Sequence, residues 1–574
     1  MKAIRNFTKT DWALVLVTVL LVASGVGNIY FLAFSGVFAP PTREQVLVFG
    51  TAGGIPDLDP HYAYDSASID VINQVCEGLM KANLSDPNYE PIPSLATDFP
   101  SVSVDSLVYN FTLRQNVTFH DGTPFNAEAV KWNYDRLNYF LNWSANDYLP
   151  APFNVSLSED LLPNQWGGLV QTPDGKPLIN KTVVLSEYEV QIVLNEPKGP
   201  FLAILAYAGM YFMSPTSTPP LTYLESAYSR LIGTGPFIYE SFTPDVDIRF
   251  RGNPNYWRGA PKLKSMVWLQ IEDTNTRNGA LLAQEVDILD APDPDFLDDF
   301  ETDSAITLYQ GEATTNTEYI MLDCIYMNVT MRKAMSYAFD YNYVIQEILK
   351  GQAVRLKGPI AAPVPFSNTS KNYPIYNLSY ARQILKDNGV VGSAAPINDD
   401  PADTWWQTKT TSDPIASYNY TWNTETDTRG DIANKFKADM SALGIFVEVI
   451  GEAWGSVIGK QVSFPEQLQA YSMGWLQDYN DPENYITPFF SNVSVINGMR
   501  YYEPDVEALI REGAAEPDQG IRAQIYDDIQ ELMIERDYPA LWLTSGKNND
   551  AWVKGLKGWV PNQISFLNFY QCYF

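Results

Sequence analysis

Near the N-terminus, Lys2, Arg5 and Lys9 precede an apolar run from about Trp12 to Phe38 that carries no charge and is broken only by small or weakly polar residues such as Ser24, Gly25 and Asn28. At roughly 27 residues the run is long enough to cross a bilayer and exceeds the apolar region of a cleavable signal. A chain built this way folds in two compartments. The basic flank predicts a short cytoplasmic tail inside and the bulk of the chain outside. Val37-Phe38-Ala39 resembles a signal-peptidase site, but Pro40 directly after it disfavours cleavage, and no Cys follows the run to carry a lipid. Residues 1–41 therefore read as tail, single-pass transmembrane signal anchor and linker, with an extracytoplasmic (extracellular or periplasmic) body from about Thr42 onward.

That body is acidic. Lys+Arg 38 against Asp+Glu 68 gives a net charge of −30 over 574 residues, so its surface repels phosphate backbones and nucleic-acid binding is not expected. A 45% hydrophobic content with 18% charged residues belongs to a folded chain rather than a disordered acidic one. Cys76, Cys324 and Cys572 are too few and too scattered for a disulfide framework or a CxxC site. His61 and His120 are the only imidazoles, so a His-rich zinc site cannot be built and a Ser-His-Asp triad would have to recruit one of these two. No metal or cofactor is expected. Beyond the membrane segment, Asn-x-Ser/Thr occurs at Asn83, Asn110, Asn116, Asn142, Asn154, Asn180, Asn328, Asn368, Asn377, Asn419 and Asn492, more often than the roughly five sites chance would give, which fits an exported glycoprotein.

Helix and strand signals are mixed along the body. Val46 to Phe49 reads as a first strand. Leu107, Tyr109, Phe111 and Leu113 alternate with other residues in the period-2 pattern of a half-buried strand. Asp121-Gly122 supplies a turn, after which Asn126 can cap a helix with Val130, Tyr134 and Leu137 on one face. Downstream, Asp247 to Phe250, Lys264 to Ile271 and Ile445 to Ile450 read as strands, and Met331 to Leu349 and Ile432 to Leu443 as helices. Asn398 to Thr428 is the most loop-like stretch, and no internal repeat is present.

Five blocks occur in a telling order: Phe119 to Val130 (FHDGTPFNAEAV), Gly233 to Phe237 (GTGPF) with Asn255-Tyr256-Trp257 after it, Val329 to Asp340 (VTMRKAMSYAFD), Gly358-Pro359-Ile360, and Gly474 to Pro482 (GWLQDYNDP). Together they resemble the family 5 extracellular solute-binding proteins of ABC importers, the dipeptide- and oligopeptide-binding class. The resemblance covers nearly all of the chain beyond the anchor. It implies an α/β fold, a bilobed type II periplasmic-binding-protein-like clamshell with an extra satellite domain. Lobe I would comprise 42–80, 230–285 and 535–574, the satellite 81–229, and lobe II 286–534. It further implies a binding protein rather than an enzyme, probed by a peptide ligand, docked on the transmembrane subunits of an ABC permease, and monomeric.

In peptide-binding members of that family the block matching Trp475-Leu476-Gln477-Asp478 runs beside the ligand as an extended strand, and the acid aligned with Asp478 receives the ligand's α-ammonium. Main-chain pairing reads a peptide's direction without reading its side chains, while a desolvated carboxylate requires a cation. The resemblance also puts Tyr62, Tyr64 and Asp65 in an early cleft-lining loop, and Trp454 is a candidate pocket ring. An oligosaccharide is the alternative ligand, since sugar rings stack on Trp and Tyr. A secreted carboxylate-dependent hydrolase is a third reading, but no spaced motif singles out an acid pair, and the His120 block is a structural hairpin in this family.

Overall fold

A computed structural model describes residues 45–55, 57–63, 65–141, 149–153, 169–172, 175–224 and 229–574. The anchor assigned to 1–41, Tyr64, Asn142 and Asn154 lie outside the described residues, among which no helix is long and apolar enough to cross a membrane.

The expected first strand forms as β1 (Val46–Thr51), and α1 (Ser66–Val75) follows, its N-terminus capped by Asp65, whose side chain accepts from the Ser68 N–H. A short hairpin, β2 (Met80–Ala82) and β3 (Pro91–Pro93), leads to a separate four-stranded sheet. That sheet runs β4 (Ser101–Val102), β5 (Val108–Thr112), β7 (Glu189–Leu194), β6 (Ile179–Ser186). Tyr109, Phe111 and Leu113 turn inward from it, as the alternation predicts. Against it packs α2 (Ala127–Phe140), where the Asn126 side chain accepts from the Ala129 N–H and Val130, Tyr134 and Leu137 are buried.

The remaining strands join β1 in one eleven-stranded sheet. They are β8 (Phe237–Thr243), β9 (Asp247–Gly252), β10 (Ser265–Gln270), β11 (Ile288–Leu289), β12 (Ile306–Leu322), β13 (Ala353–Arg355), β14 (Ala416–Asn423), β15 (Ile445–Glu452), β16 (Ala470–Trp475) and β17 (Ala540–Val553). The order is β15-β14-β16-β12-β17-β11-β1-β10-β9-β8, with β13 also on β17. Two long antiparallel strands, β12 and β17, thus run from one half of the sheet into the other, and their register shifts between Gln310 and Ala313, Ala313 and Thr317, and Glu318 and Tyr319. Each half has its own core. Phe49, Phe250, Trp268, Ile288, Phe300 and Ile306 share one. On the other half, Phe339, Tyr420 and Phe436 cover one face and Tyr319, Phe489 and Trp542 the opposite face.

Four of the five family-like blocks are scaffold. Gly233 and Gly235 lie so close to the end of α1 that a Cβ would sit 2.1 Å and 2.7 Å from the Val75 carbonyl oxygen. Between them Thr234 donates to Glu77, a buried carboxylate that also accepts from Tyr256 and Trp257, so the GTGPF and NYW residues close on one acid. His120 joins the same corner: its backbone N–H donates to Gly233 and its Nε2–H to Gly235. In α3 (Val329–Ala338), buried Arg332 donates to the carbonyls of Met327, Asp537 and Tyr538. Pro359 gives its carbonyl to the Tyr319 hydroxyl.

Two expectations are corrected. Met331 to Leu349 is not one helix: α3 ends at Ala338, Asp340 accepts from the Tyr343 N–H to start a new turn, and a π-helical turn spans Val344–Ile348. After α4 (Leu378–Asp387), the loop-like stretch 398–428 instead holds α5 (Thr404–Ser412), capped by Asp403, and the interior strand β14. Burial of Trp406 and Tyr420 organises it, the Tyr420 hydroxyl meeting Ser472. The next helix, α6 (Asp427–Ser441), precedes β15, and α7 (Trp454–Ser463), α8 (Glu483–Phe490) and α9 (Gln519–Glu531) complete the set used below.

Candidate functional site

A cavity of about 740 Å³ opens between the two halves of the large sheet. One wall comes from β1, α1, β10 and the end of β11, the other from Thr314 and Asn316 of β12, Gly546 to Asp550 of β17 and the segment Trp475 to Asn480. Of the five sequence blocks, GWLQDYNDP is the one that supplies this run of wall residues. β16 ends at Trp475, its register partner being Thr317, and Leu476 and Gln477 continue beyond the sheet with no strand beside them. Trp475 packs edge-on against Phe489 and donates its indole N–H to Asn484, and Gln477 accepts from the Tyr485 hydroxyl.

Three acids lie close together here, and two are neutralised. Asp481 holds Arg522 of α9 through two 2.7 Å hydrogen bonds, and Glu483 pairs with Lys198 at 3.0 Å. Asp478 is different. Its carboxylate accepts only from the Asn484 amide at 3.0 Å, Asn484 also taking the Asp478 backbone N–H, and no Lys or Arg among the described residues pairs with it. Burial pushes its carboxyl up to about 7, with the Asn484 hydrogen bond opposing and the charge of Glu483 adding. A cavity-lining carboxylate in this state takes a ligand cation at low desolvation cost.

Residues 90–496 match the family model for bacterial extracellular solute-binding proteins, family 5. The chain belongs to this family. Over 566 residues it is 25% identical to Di/tripeptide-binding protein 2 of Pseudomonas aeruginosa, covering 94% of this chain and 97% of that one. It is also 25% identical to the dipeptide-binding protein of Escherichia coli, covering 92% and 94%. Among solved structures, the ABC transporter-associated periplasmic binding protein DppA from Helicobacter pylori in complex with peptide STSA superposes with a TM-score of 0.72 at 21% identity, covering 92% of this chain and 98% of that one. The α/β fold is thus that of the type II periplasmic binding proteins.

Within this family 5 protein the other expected site residues fare unevenly. Trp475, Leu476, Gln477 and Asp478 come together on the cavity wall. Asp65 caps α1 and Tyr62 packs on Tyr223, and neither lines the cavity. Trp454 does not line it either: it opens α7, its backbone N–H donates to Glu425, and the Arg429 guanidinium covers its ring at 5.7 Å. His61 accepts from Arg136 beside the buried Arg136–Asp59 pair, and burial holds its imidazole down to about 3. His120 is held down to about 4, chiefly by burial.

The wall also carries residues that sequence reasoning missed. Asp70 of α1, Asp290 after β11 and Asp550 of β17 line the cavity, and Lys547 is its one basic residue among those described. A signal was present for part of this group: Lys547-Asn548-Asn549-Asp550 is a strongly polar run in a strand whose two ends, Ala540 to Leu543 and Ala551 to Val553, are apolar. The glycosylation candidates divide by accessibility. Asn116, Asn180, Asn328, Asn377 and Asn492 are exposed, whereas Asn83, Asn110, Asn368 and Asn419 are partly buried. Asn110, Asn368 and Asn419 already use their amide N–H groups on Ser101, Asp527 and Gln467.

Proposed function

We propose that this protein captures short peptides in the cavity between its lobes and presents them to the transmembrane subunits of an ABC permease, without catalysis of its own. The observation that carries the reading is Asp478, an acid on the cavity wall with no internal counter-ion beside two acids that each have one. A peptide's α-ammonium fits that carboxylate, and the main chain beyond it fits the run Leu476-Gln477 past the end of β16. The names of the relatives, di/tripeptide- and dipeptide-binding proteins, agree with this ligand class.

The proposed architecture has lobe I from 42–80, 230–285 and 535–574, a satellite from 81–229, and lobe II from 286–534, with the β12–β17 ribbon as hinge. Because Ile288, Phe300 and Ile306 share the core of lobe I, the border with lobe II is better drawn beyond Ile306. Residues 1–41 are proposed to anchor the body at the membrane, and the exposed sequons, Asn116, Asn180, Asn328, Asn377 and Asn492, are the proposed glycan sites.

Thermal unfolding with added ligands tests the function. Free-amine di- and tripeptides are expected to raise Tm by mass action and their N-acetylated forms to leave it unmoved. Calorimetry on Asp478→Ala is expected to read a loss of about 3–5 kcal/mol, a rise in Kd of about 10² to about 4 × 10³. Equal shifts from acetylated and free peptides, or a response to oligosaccharides alone, would overturn the reading.

A further inference from the structure

Besides Asp478 the cavity lining carries a second group of acids. Asp70, Asp290 and Asp550 come from three separate elements, α1, the end of β11 and β17, and all face the same space. Asp290 couples electrostatically to both of the others. None of the three has a Lys or Arg within ion-pair distance among the described residues. Arg277 is the cation Asp290 feels, and its guanidinium donates instead to the carbonyls of Ile271 and Glu272. Burial and mutual repulsion raise the carboxyls of Asp70 and Asp550, that of Asp550 to about 6. These residues do not converge as metal ligands: among the described residues no group of His, Cys, Asp or Glu is arranged to hold a metal ion.

Hydrogen-bonding groups without partners stand on other residues that line the same cavity. The Trp268 indole N–H, on a side chain 2% exposed, and the Asn548 amide N–H, on one 7% exposed, have no acceptor, although both residues line the cavity. The side-chain carbonyl oxygens of Asn316 and Asn549 have no donor. Buried polar atoms without partners each cost free energy unless a ligand or water meets them. The wall therefore calls for a molecule with acceptors, N–H donors and more than one positive charge.

We infer that the preferred ligand is a short peptide with a basic side chain, its α-ammonium at Asp478 and its side-chain cation among Asp70, Asp290 and Asp550. The inference rests on the peptide reading above and narrows it. Peptide carbonyls meet the free N–H groups of Trp268 and Asn548, and the N–H groups of the side-chain cation meet the carboxylates and the Asn316 and Asn549 oxygens. Neutral peptides leave the second acidic wall uncompensated, and anionic ones are repelled by it.

Calorimetry with Ala-Ala-Ala, Ala-Lys-Ala, Ala-Arg-Ala and Ala-Glu-Ala on the protein and on the double variant Asp290→Asn/Asp550→Asn decides the matter, with circular dichroism to check that the variant folds. The protein is expected to bind the Lys and Arg peptides at least about tenfold more tightly than Ala-Ala-Ala and the Glu peptide more weakly. The variant's ratio of basic to neutral affinity is expected to fall towards one. Equal affinity for Ala-Lys-Ala and Ala-Ala-Ala in the unmodified protein would overturn this inference and leave the peptide reading standing, as would a preference that survives in the variant. Binding of spermidine with no binding of any free-amine peptide would overturn both.

Discussion

Asp478, Asp481 and Glu483 occupy one short stretch of chain and meet different fates. By resemblance the sequence points to the block that holds Asp478 and Asp481, with Glu483 directly after it. It does not say which acid is free, because the counter-ions Lys198 and Arg522 arrive from distant segments. Trp454 fails for the same kind of reason: a Trp after a strand looks alike in sequence whether its ring faces a cavity or lies under an arginine. The unpaired state of Asp478 has a pH signature. In the ligand-free fold its carboxyl titrates at about 7 against an ordinary 3.8, so the folded state holds the extra proton. Its contribution to stability is full below the ordinary value and is lost as pH rises through about 7. Asp478→Asn is therefore expected to show a smaller fall in Tm than the unmodified protein between about pH 5 and about pH 8. An ammonium ligand prefers the ionised carboxylate, so the affinity of a free-amine peptide is expected to rise from about pH 5 to about pH 7, by up to about tenfold per pH unit, and to level off as the peptide's own amine starts to deprotonate, in calorimetry at each pH.

Elements whose signals are local were legible, and those organised from a distance were not. α2 begins at Asn126 as the capping residue predicts, and β5 buries the face its alternation marks. Removing that cap with Asn126→Ala is expected to cost about 1 kcal/mol, read from the urea midpoint. β14 looked like loop because Asn and Ser interrupt its aromatic residues; its place is fixed by parallel partners on both sides, β15 and β16. The GTGPF corner shows what the sequence hides even when a motif is recognised. Its glycines are needed for close approach to the end of α1 rather than for any ligand. Gly233→Ala pushes a methyl group into the Val75 carbonyl and is expected to cost at least about 1–3 kcal/mol, seen as a lowered Tm with peptide selectivity retained.

At the scale of the whole molecule, the region around the four-stranded sheet is tied to the GWLQDYNDP segment and α8 next to the cavity. Lys198 pairs with Glu483, the Gly199 N–H donates to Ala514, and Asn480 donates to the Asn88 carbonyl. Lys198→Ala leaves Glu483 buried beside Tyr479 without its cation, which costs about 3–5 kcal/mol if the closed arrangement is kept. Small-angle scattering is expected to record a larger radius of gyration for that variant without ligand, because opening lets water reach the carboxylate. The net charge of −30 acts over longer range. On-rates for cationic peptides are expected to fall as ionic strength rises and those of neutral peptides to stay nearly flat in stopped-flow measurements. The ribbon that joins the halves also sets an order in time. β17 pairs with β12 across contacts such as Ser545 to Thr314, 231 residues apart, and it is the neighbour of β11 and β13 as well. Until Ala540–Val553 has been synthesised, the two halves of the sheet lack the strand that joins β12 to β11. A chain of this design keeps the halves of its large sheet unjoined through most of its synthesis, so the whole sheet closes only late.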